Sequence, residues 1–123
     1  MSDAHRLAAL LADALEGHGQ ADFEAALAPG AIVWHNADRA EVDAVENMVR
    51  ITALTELVND LKCETVYLAP TPDGFVYQFV VRGTVASNGK PFEMQNCVVA
   101  ATADGKYTRL DEYVDPTLAT QFI

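Results

Sequence analysis

Gly105-Lys106-Tyr107-Thr108-Arg109-Leu110-Asp111-Glu112-Tyr113-Val114-Asp115 reads as a strand that opens at a tight turn and ends before Pro116. Side chains alternate across a strand, so Thr108, Leu110, Glu112 and Val114 share one face, and Tyr107, Arg109, Asp111 and Tyr113 share the other. Working back, 92–102 and 75–86 read as two more strands. They are joined by Asp104-Gly105 and Ser87-Asn88-Gly89, both hairpin chemistry. A shorter strand over 64–69 precedes the turn Pro70-Thr71-Pro72-Asp73-Gly74, where two prolines fix φ and Gly74 is expected to supply a positive one.

Upstream the periodicity is helical. Leu7, Leu10, Leu11, Ala14 and Leu15 mark an amphipathic helix over 4–16, with Ser2 or Asp3 as its cap and Gly17 and Gly19 at its end. A short helix is expected over 20–28, stopped by Pro29-Gly30, then a strand over 31–36. Asp38 followed three residues later by Glu41 resembles a capping box and predicts a helix over 39–61. Its two apolar stripes, Val42, Val45 and Val49, then Ile51, Leu54, Val58 and Leu61, are offset, so it is expected to bend, or to break into two helices, near 50–52. Helices first and an antiparallel meander after give an α+β domain spanning 1–123, with the first helix across the concave face of the sheet.

Composition narrows the function. The chain has 123 residues, enough for one domain with a real core, and 50% of them are hydrophobic. A formal charge of −10 disfavours nucleic acid and anionic lipid as partners. No apolar run approaches a membrane span, and Met1-Ser2-Asp3-Ala4-His5 is no secretory signal, so a cytoplasmic location is the expectation. Cys63 and Cys97 form no metal-binding spacing with the scattered His5, His18 and His35, so neither a metal nor a cofactor is expected.

Alternation places Phe75, Tyr77, Phe79 and Val81 on the inner face, together with Phe92, Met94, Asn96 and Val98, and with Leu110 and Glu112. In the strand 31–36 it assigns Ile32, Trp34 and Asn36 inward and Val33 and His35 outward; a one-residue bulge would reverse this. The inner set is apolar with isolated polar groups at Asn36, Asn96 and Glu112, the make-up of a small-molecule pocket. A carboxyl taken out of water holds its proton more tightly and suits general acid–base work. Glu112 is therefore the first candidate catalytic residue, with Asn36 and His35 beside it. Trp34, Tyr77, Phe79, Val81, Met94, Asn96 and Leu110 are the candidate substrate contacts. The plain structural alternatives are an ion pair of Glu112 with Arg82 or Arg109, or a helix cap by it, a strand-end or Asx-turn role for Asn36, and core packing for Trp34. The outer face mixes Gln78, Arg82, Gln95, Arg109 and Tyr113 with valines, which suits a homodimer formed through the sheet.

Helix one, Val33-Trp34-His35-Asn36, Asp73-Gly74 and the closing Asp104-Gly105-Lys106…Arg109-Leu110-Asp111-Glu112-Tyr113-Val114-Asp115 together resemble the SnoaL-like branch of the nuclear transport factor 2-like superfamily, over nearly the whole chain. The resemblance implies a cone: a strongly curved antiparallel sheet around a cavity closed by N-terminal helices, commonly dimeric. Such folds include steroid isomerases, polyketide cyclases, limonene-epoxide hydrolases, dehydratases and non-catalytic binding proteins, so the fold alone supplies no activity. The limonene-epoxide hydrolase pattern has an aromatic at Trp34, a water-binding Asn at Asn36 and a catalytic carboxylate at Glu112. Its Arg and second Asp are replaced here by Phe79 and Val81, which removes the acid that opens an epoxide. Steroid isomerases carry their catalytic Asp near the end of the first strand, where this chain has His35 or Asn36. Residues and resemblance together imply a cofactor-free enzyme of isomerase, dehydratase, cyclase or hydrolase type acting on a hydrophobic molecule; the alternative is a binding or dimerisation module.

Overall fold

A computed structural model describes residues 3–123; the expected Ser2 cap lies outside them. The element order is α1 (Asp3–Leu15), α2 (Gln20–Ala25), β1 (Leu27–His35), β2 (Glu41–Asp43), α3 (Met48–Leu57), β3 (Val58–Thr71), β4 (Gly74–Val85), β5 (Pro91–Ala103) and β6 (Lys106–Val114), with a 3-10 turn over Leu118–Phe122. The strands form one curved sheet in the order β2-β1-β6-β5-β4-β3. This is the expected α+β cone, with one difference. β1 runs parallel to β6, so the sheet is mixed rather than wholly antiparallel.

α1 lies on the inner face as its periodicity requires. Leu7, Ala8, Leu11, Ala14 and Leu15 are buried, each leucine being worth roughly 1.5–3 kcal/mol of burial. Tyr107, expected on the outer face, is instead fully buried, and its hydroxyl donates to Leu7 O at 2.7 Å. A bulge at Thr108 resolves the conflict. The β5–β6 register shifts between the Ala101–Arg109 and Thr102–Tyr107 pairs, so Tyr107 and Leu110 both point inward.

The helix expected over 39–61 is the main error of the sequence reading. Asp38 opens no helix: its Oδ1 accepts the Ala40 N–H at 2.9 Å, Arg39 takes a φ of 56°, and Glu41–Asp43 then pairs with β1 as a strand. Asp43 Oδ1 accepts the N–H groups of Val45 and Glu46 at 2.9 and 3.2 Å within the turn over 44–47, and α3 starts only after it, with Asn47 at its N-cap and no side-chain cap bond. The far end of the expected helix, Val58 to Leu61, belongs to β3. Val45 and Val49, which were expected to pack, are exposed.

Gly74 is required for a different reason from the one read in the sequence. It has no positive φ; a Cβ there would lie 2.0 Å from Ala100 O, so β5 can approach only a glycine.

Candidate active site

The inner face carries a polar row. His35 pairs with Glu112 across the parallel β1–β6 ladder, and Asn96 lies on β5 diagonally from Glu112. His35 Nδ1 is 3.3 Å from Glu112 Oε2, with the two side chains only 11% and 16% exposed. On its other side His35 Nε2 donates to Asn47 Oδ1 at 2.9 Å, in a buried contact. Asn47 is delivered by the turn that Asp43 begins, through Asn47 N–H to Asp43 O at 2.9 Å. Three side chains from β6, β1 and the start of α3 are thus joined end to end.

This chain of contacts borders a cavity of ≈ 210 Å³ lined also by Leu15, Arg50, Ile51, Leu54, Met94, Asn96, Val114 and Leu118. Leu118 is held over the rim by the C-terminal turn, where Gln121 bonds the backbone of Glu93 in both directions, at 2.9 and 2.7 Å. Six of the lining residues are apolar, and His35, Asn47, Arg50, Asn96 and Glu112 supply the polar groups, the mixture of a small-molecule site.

The electrostatics follow from the contacts. The hydrogen bond to Glu112 raises the His35 pKa above 6.5; burial opposes it, and the bond to Asn47 adds to it. With Nε2–H committed to Asn47, Nδ1 faces the Glu112 carboxyl group. Such a pair can take a proton from a bound molecule and return it elsewhere without external help.

The sequence-predicted residues divide into groups. Glu112, His35, Met94 and Asn96 meet at the cavity. Tyr77, Phe79, Val81 and Leu110 are inward but buried to within 2% in the core. Tyr77 stacks on Phe79 at 4.5 Å, and its hydroxyl meets Thr65 Oγ1 at 3.0 Å. The expected faces of β1 are reversed: Ala31, Val33 and His35 are buried, and Trp34 lies on the outer side against Tyr113, ring centres 5.2 Å apart. The β1–β6 register dictates this, because Val33 pairs with Leu110 and His35 with Glu112. Asn36 is spent on the backbone: Oδ1 accepts Val114 N–H at 2.9 Å and Nδ2 donates to Val114 O at 3.0 Å. Glu112 pairs with neither Arg82 nor Arg109; Arg82 bridges Glu64 and Glu93, and Arg109 bridges Glu41 and Asp111. Sequence reasoning missed His35 as an inward group and left Asn47 out of the site. The signal for Asn47 is Asp43 followed by Glu46, the same spacing as Asp38 and Glu41.

Other features carry less chemistry. An outer-face depression of ≈ 480 Å³ is lined by Gln78, Val80, Gln95 and Cys97, and a groove of ≈ 440 Å³ between α1 and β3 by Cys63, Thr65 and Tyr77. Both are larger than the inner cavity, and the groove is lined as well by His5, Asp13 and Glu16. Burial pushes the Cys63 thiol up to about 11, so it is no nucleophile at neutral pH. Asp13, Glu16 and His18 place ligand-type atoms within 4.8 Å of one another, but Glu16 Oε2 is already bonded to Cys63 N–H at 2.7 Å.

No protein-family model matches the chain, and no curated protein matches its sequence. Solved structures do. IdmH from Streptomyces antibioticus, a candidate polyketide cyclase, superposes with a TM-score of 0.83 at 17% identity, covering 98% of each chain. A candidate SnoaL-like polyketide cyclase from Jannaschia sp. CCS1 gives 0.80 at 15% identity, over 98% of this chain and 91% of that one. An NTF2-like protein from Burkholderia thailandensis E264 gives 0.77 at 21% identity, over 99% and 98%. The chain therefore has the nuclear transport factor 2-like fold, in the form shared with SnoaL-like proteins.

Proposed function

We propose that this protein is a cofactor-free acid–base catalyst acting on a compact hydrophobic molecule, with Glu112 and His35 as the proton-transferring pair and Asn47 as the residue that orients His35. The observation that carries the reading is the continuous Asn47–His35–Glu112 chain at the edge of the cavity. Glu112 takes a proton from an acidic C–H of the substrate, the bond's electron pair passes into an enolate, and the proton returns at a second atom. The imidazolium of His35 beside the carboxylate steadies the charge as it moves. Isomerisation, dehydration and cyclisation all begin this way. Epoxide hydrolysis is disfavoured, since Phe79 and Val81 occupy the positions of its missing acid and are fully buried.

The test is deuterium wash-in from heavy water into enolisable cyclic ketones such as 2-methylcyclohexanone, followed by NMR. Exchange should be faster with the native protein than with Glu112→Gln. Equal exchange for a ketone that occupies the cavity would leave a binding module as the better reading.

The same reading extends to the outer face, where Val66, Tyr67, Val99 and Tyr113 are 40–61% exposed. A second copy of the chain is the partner proposed for it, because this apolar surface lies on the sheet side away from α1 and leaves the cavity mouth free. Sedimentation should show a dimer that Val99→Lys weakens; a monomeric native protein would refute it.

A further inference from the structure

The inward face of α3 and its N-cap repeats at helical spacing as Asn47, Arg50, Ile51 and Leu54, all of which line the inner cavity. Asn47 is engaged with His35, and Ile51 and Leu54 are apolar wall. Arg50 does not belong to this face as packing: it puts a cation on the cavity side, while its neighbour Val49 is 73% exposed. Among the described residues it is the one lysine or arginine lining this cavity. Its guanidinium holds Asp38 only loosely, Nη2 to Oδ2 at 3.7 Å, with both side chains about half exposed, and such a pair contributes little. Asp38 is anchored independently, through the Ala40 N–H on its Oδ1. A guanidinium carries five N–H donors in a fork, so a second carboxylate can bind at the rim beside Asp38. The charges of the wall point the same way. Protonated His35 offsets Glu112, and Arg50 then leaves the wall positive, in a chain whose formal charge is −10. Arg50 is also near enough to His35 to oppose its protonation, a repulsion that an anion at Arg50 relieves.

We infer that the enolisable substrate of this cavity is a keto acid, and that the Arg50 guanidinium binds its carboxylate at the rim while the carbon next to the ketone faces Glu112. The inference rests on the reading of the cavity as a proton-transfer site. Size restricts the class further. At ≈ 210 Å³ the cavity is smaller than the roughly 300–1,000 Å³ of ordinary ligand sites, so the body of the acid is a single ring or a short chain. The apolar walls take that body, and Arg50 keeps the charged end in the half-exposed position where it need not lose all its water. Arg50 is a substrate-binding residue on this account: it takes no part in the proton transfer and sets which end of the molecule enters.

3-Oxocyclohexanecarboxylate and 3-methylcyclohexanone share one ring ketone and differ by a carboxylate against a methyl. Each is titrated at neutral pH into the native protein, Arg50→Gln and Arg50→Lys, with binding followed through the NMR methyl signals of Met94 and Leu118 in the cavity wall. Deuterium wash-in from heavy water is measured on the same samples. Removing the cation should lower the affinity for the acid relative to the neutral ketone by about fivefold, the upper end for a half-exposed charge pair. Arg50→Lys keeps the charge and should hold more of that preference than Arg50→Gln. A merely structural role for Arg50 would shift both ligands alike and leave their ratio in place. An acid-to-ketone ratio that is the same in the native protein and Arg50→Gln overturns the inference, and Glu112-dependent wash-in on either ketone then leaves the acid–base reading standing. Binding of the acid that depends on Arg50, with no wash-in above the protein-free rate, keeps the carboxylate site and removes the acid–base reading. Absence of binding by the acid to the native protein overturns the inference outright.

Discussion

His35 Nδ1 stands 3.3 Å from Glu112 Oε2, and the two residues are paired partners on parallel strands β1 and β6. The sheet itself holds acid and base together, so their separation does not depend on a loop. Glu112 also lines a cavity whose walls combine apolar side chains with Asn47, Arg50 and Asn96. Proton affinity, stability and catalysis should therefore all respond to this one contact.

Stability should depend on pH in a defined direction. The folded His35 pKa lies above 6.5, so the folded state binds this proton more tightly than the unfolded chain. The resulting stabilisation is full below pH 6.5 and is lost as pH rises through the folded value. Comparing the native protein with Glu112→Gln by chemical denaturation, the native advantage should be larger at about pH 6 than at about pH 9. An advantage that grows with pH would refute this.

Asn47 should matter through His35. Asn47→Ala removes the acceptor of the Nε2 proton, lowers the His35 pKa and costs roughly 1–3 kcal/mol through the polar group left unpaired. Asn47→Asp replaces a neutral acceptor with a charged one and should raise the His35 pKa instead. Histidine titration by NMR distinguishes the two outcomes.

Asn36 should act on stability before activity. Its amide clamps both backbone groups of Val114, so Asn36→Ala is expected to cost roughly 1–3 kcal/mol, read as a fall in denaturation midpoint. Loss of wash-in activity at unchanged stability would instead restore Asn36 as a catalytic group.

Gly74→Ala should be among the most damaging single-methyl additions. The new Cβ would meet Ala100 O at 2.0 Å, which only a shift of β5 or of the Asp73 turn can relieve. A loss of about 3 kcal/mol or more is expected by thermal denaturation.

The strand 75–82 is legible in the sequence because one face is more apolar than the other, Phe75, Tyr77, Phe79 and Val81 standing against Val76, Gln78, Val80 and Arg82. β1 is not, because Ile32 and Trp34 on one side and Ala31 and Val33 on the other are all apolar. Its face is set by pairing with β6, a long-range fact that no local pattern contains. Glu112 stands out because it interrupts an apolar face. Its partner His35 falls on the wrong side through the same strand ambiguity. Residues 38–47 mislead because valines and an acidic pair at capping-box spacing fit a helix start as well as a turn, a short strand and a second turn. Only the contacts of Asp38 and Asp43 separate these possibilities.

The most direct test of the acid–base pair is the NMR titration of His35 in the native protein and in Glu112→Gln. The native pKa should lie above 6.5 and should fall on substitution, because the bond to Glu112 is the largest cause of the rise. A His35 that titrates at or below 6.5 in the native protein, unchanged by the loss of the Glu112 carboxylate, would contradict the account.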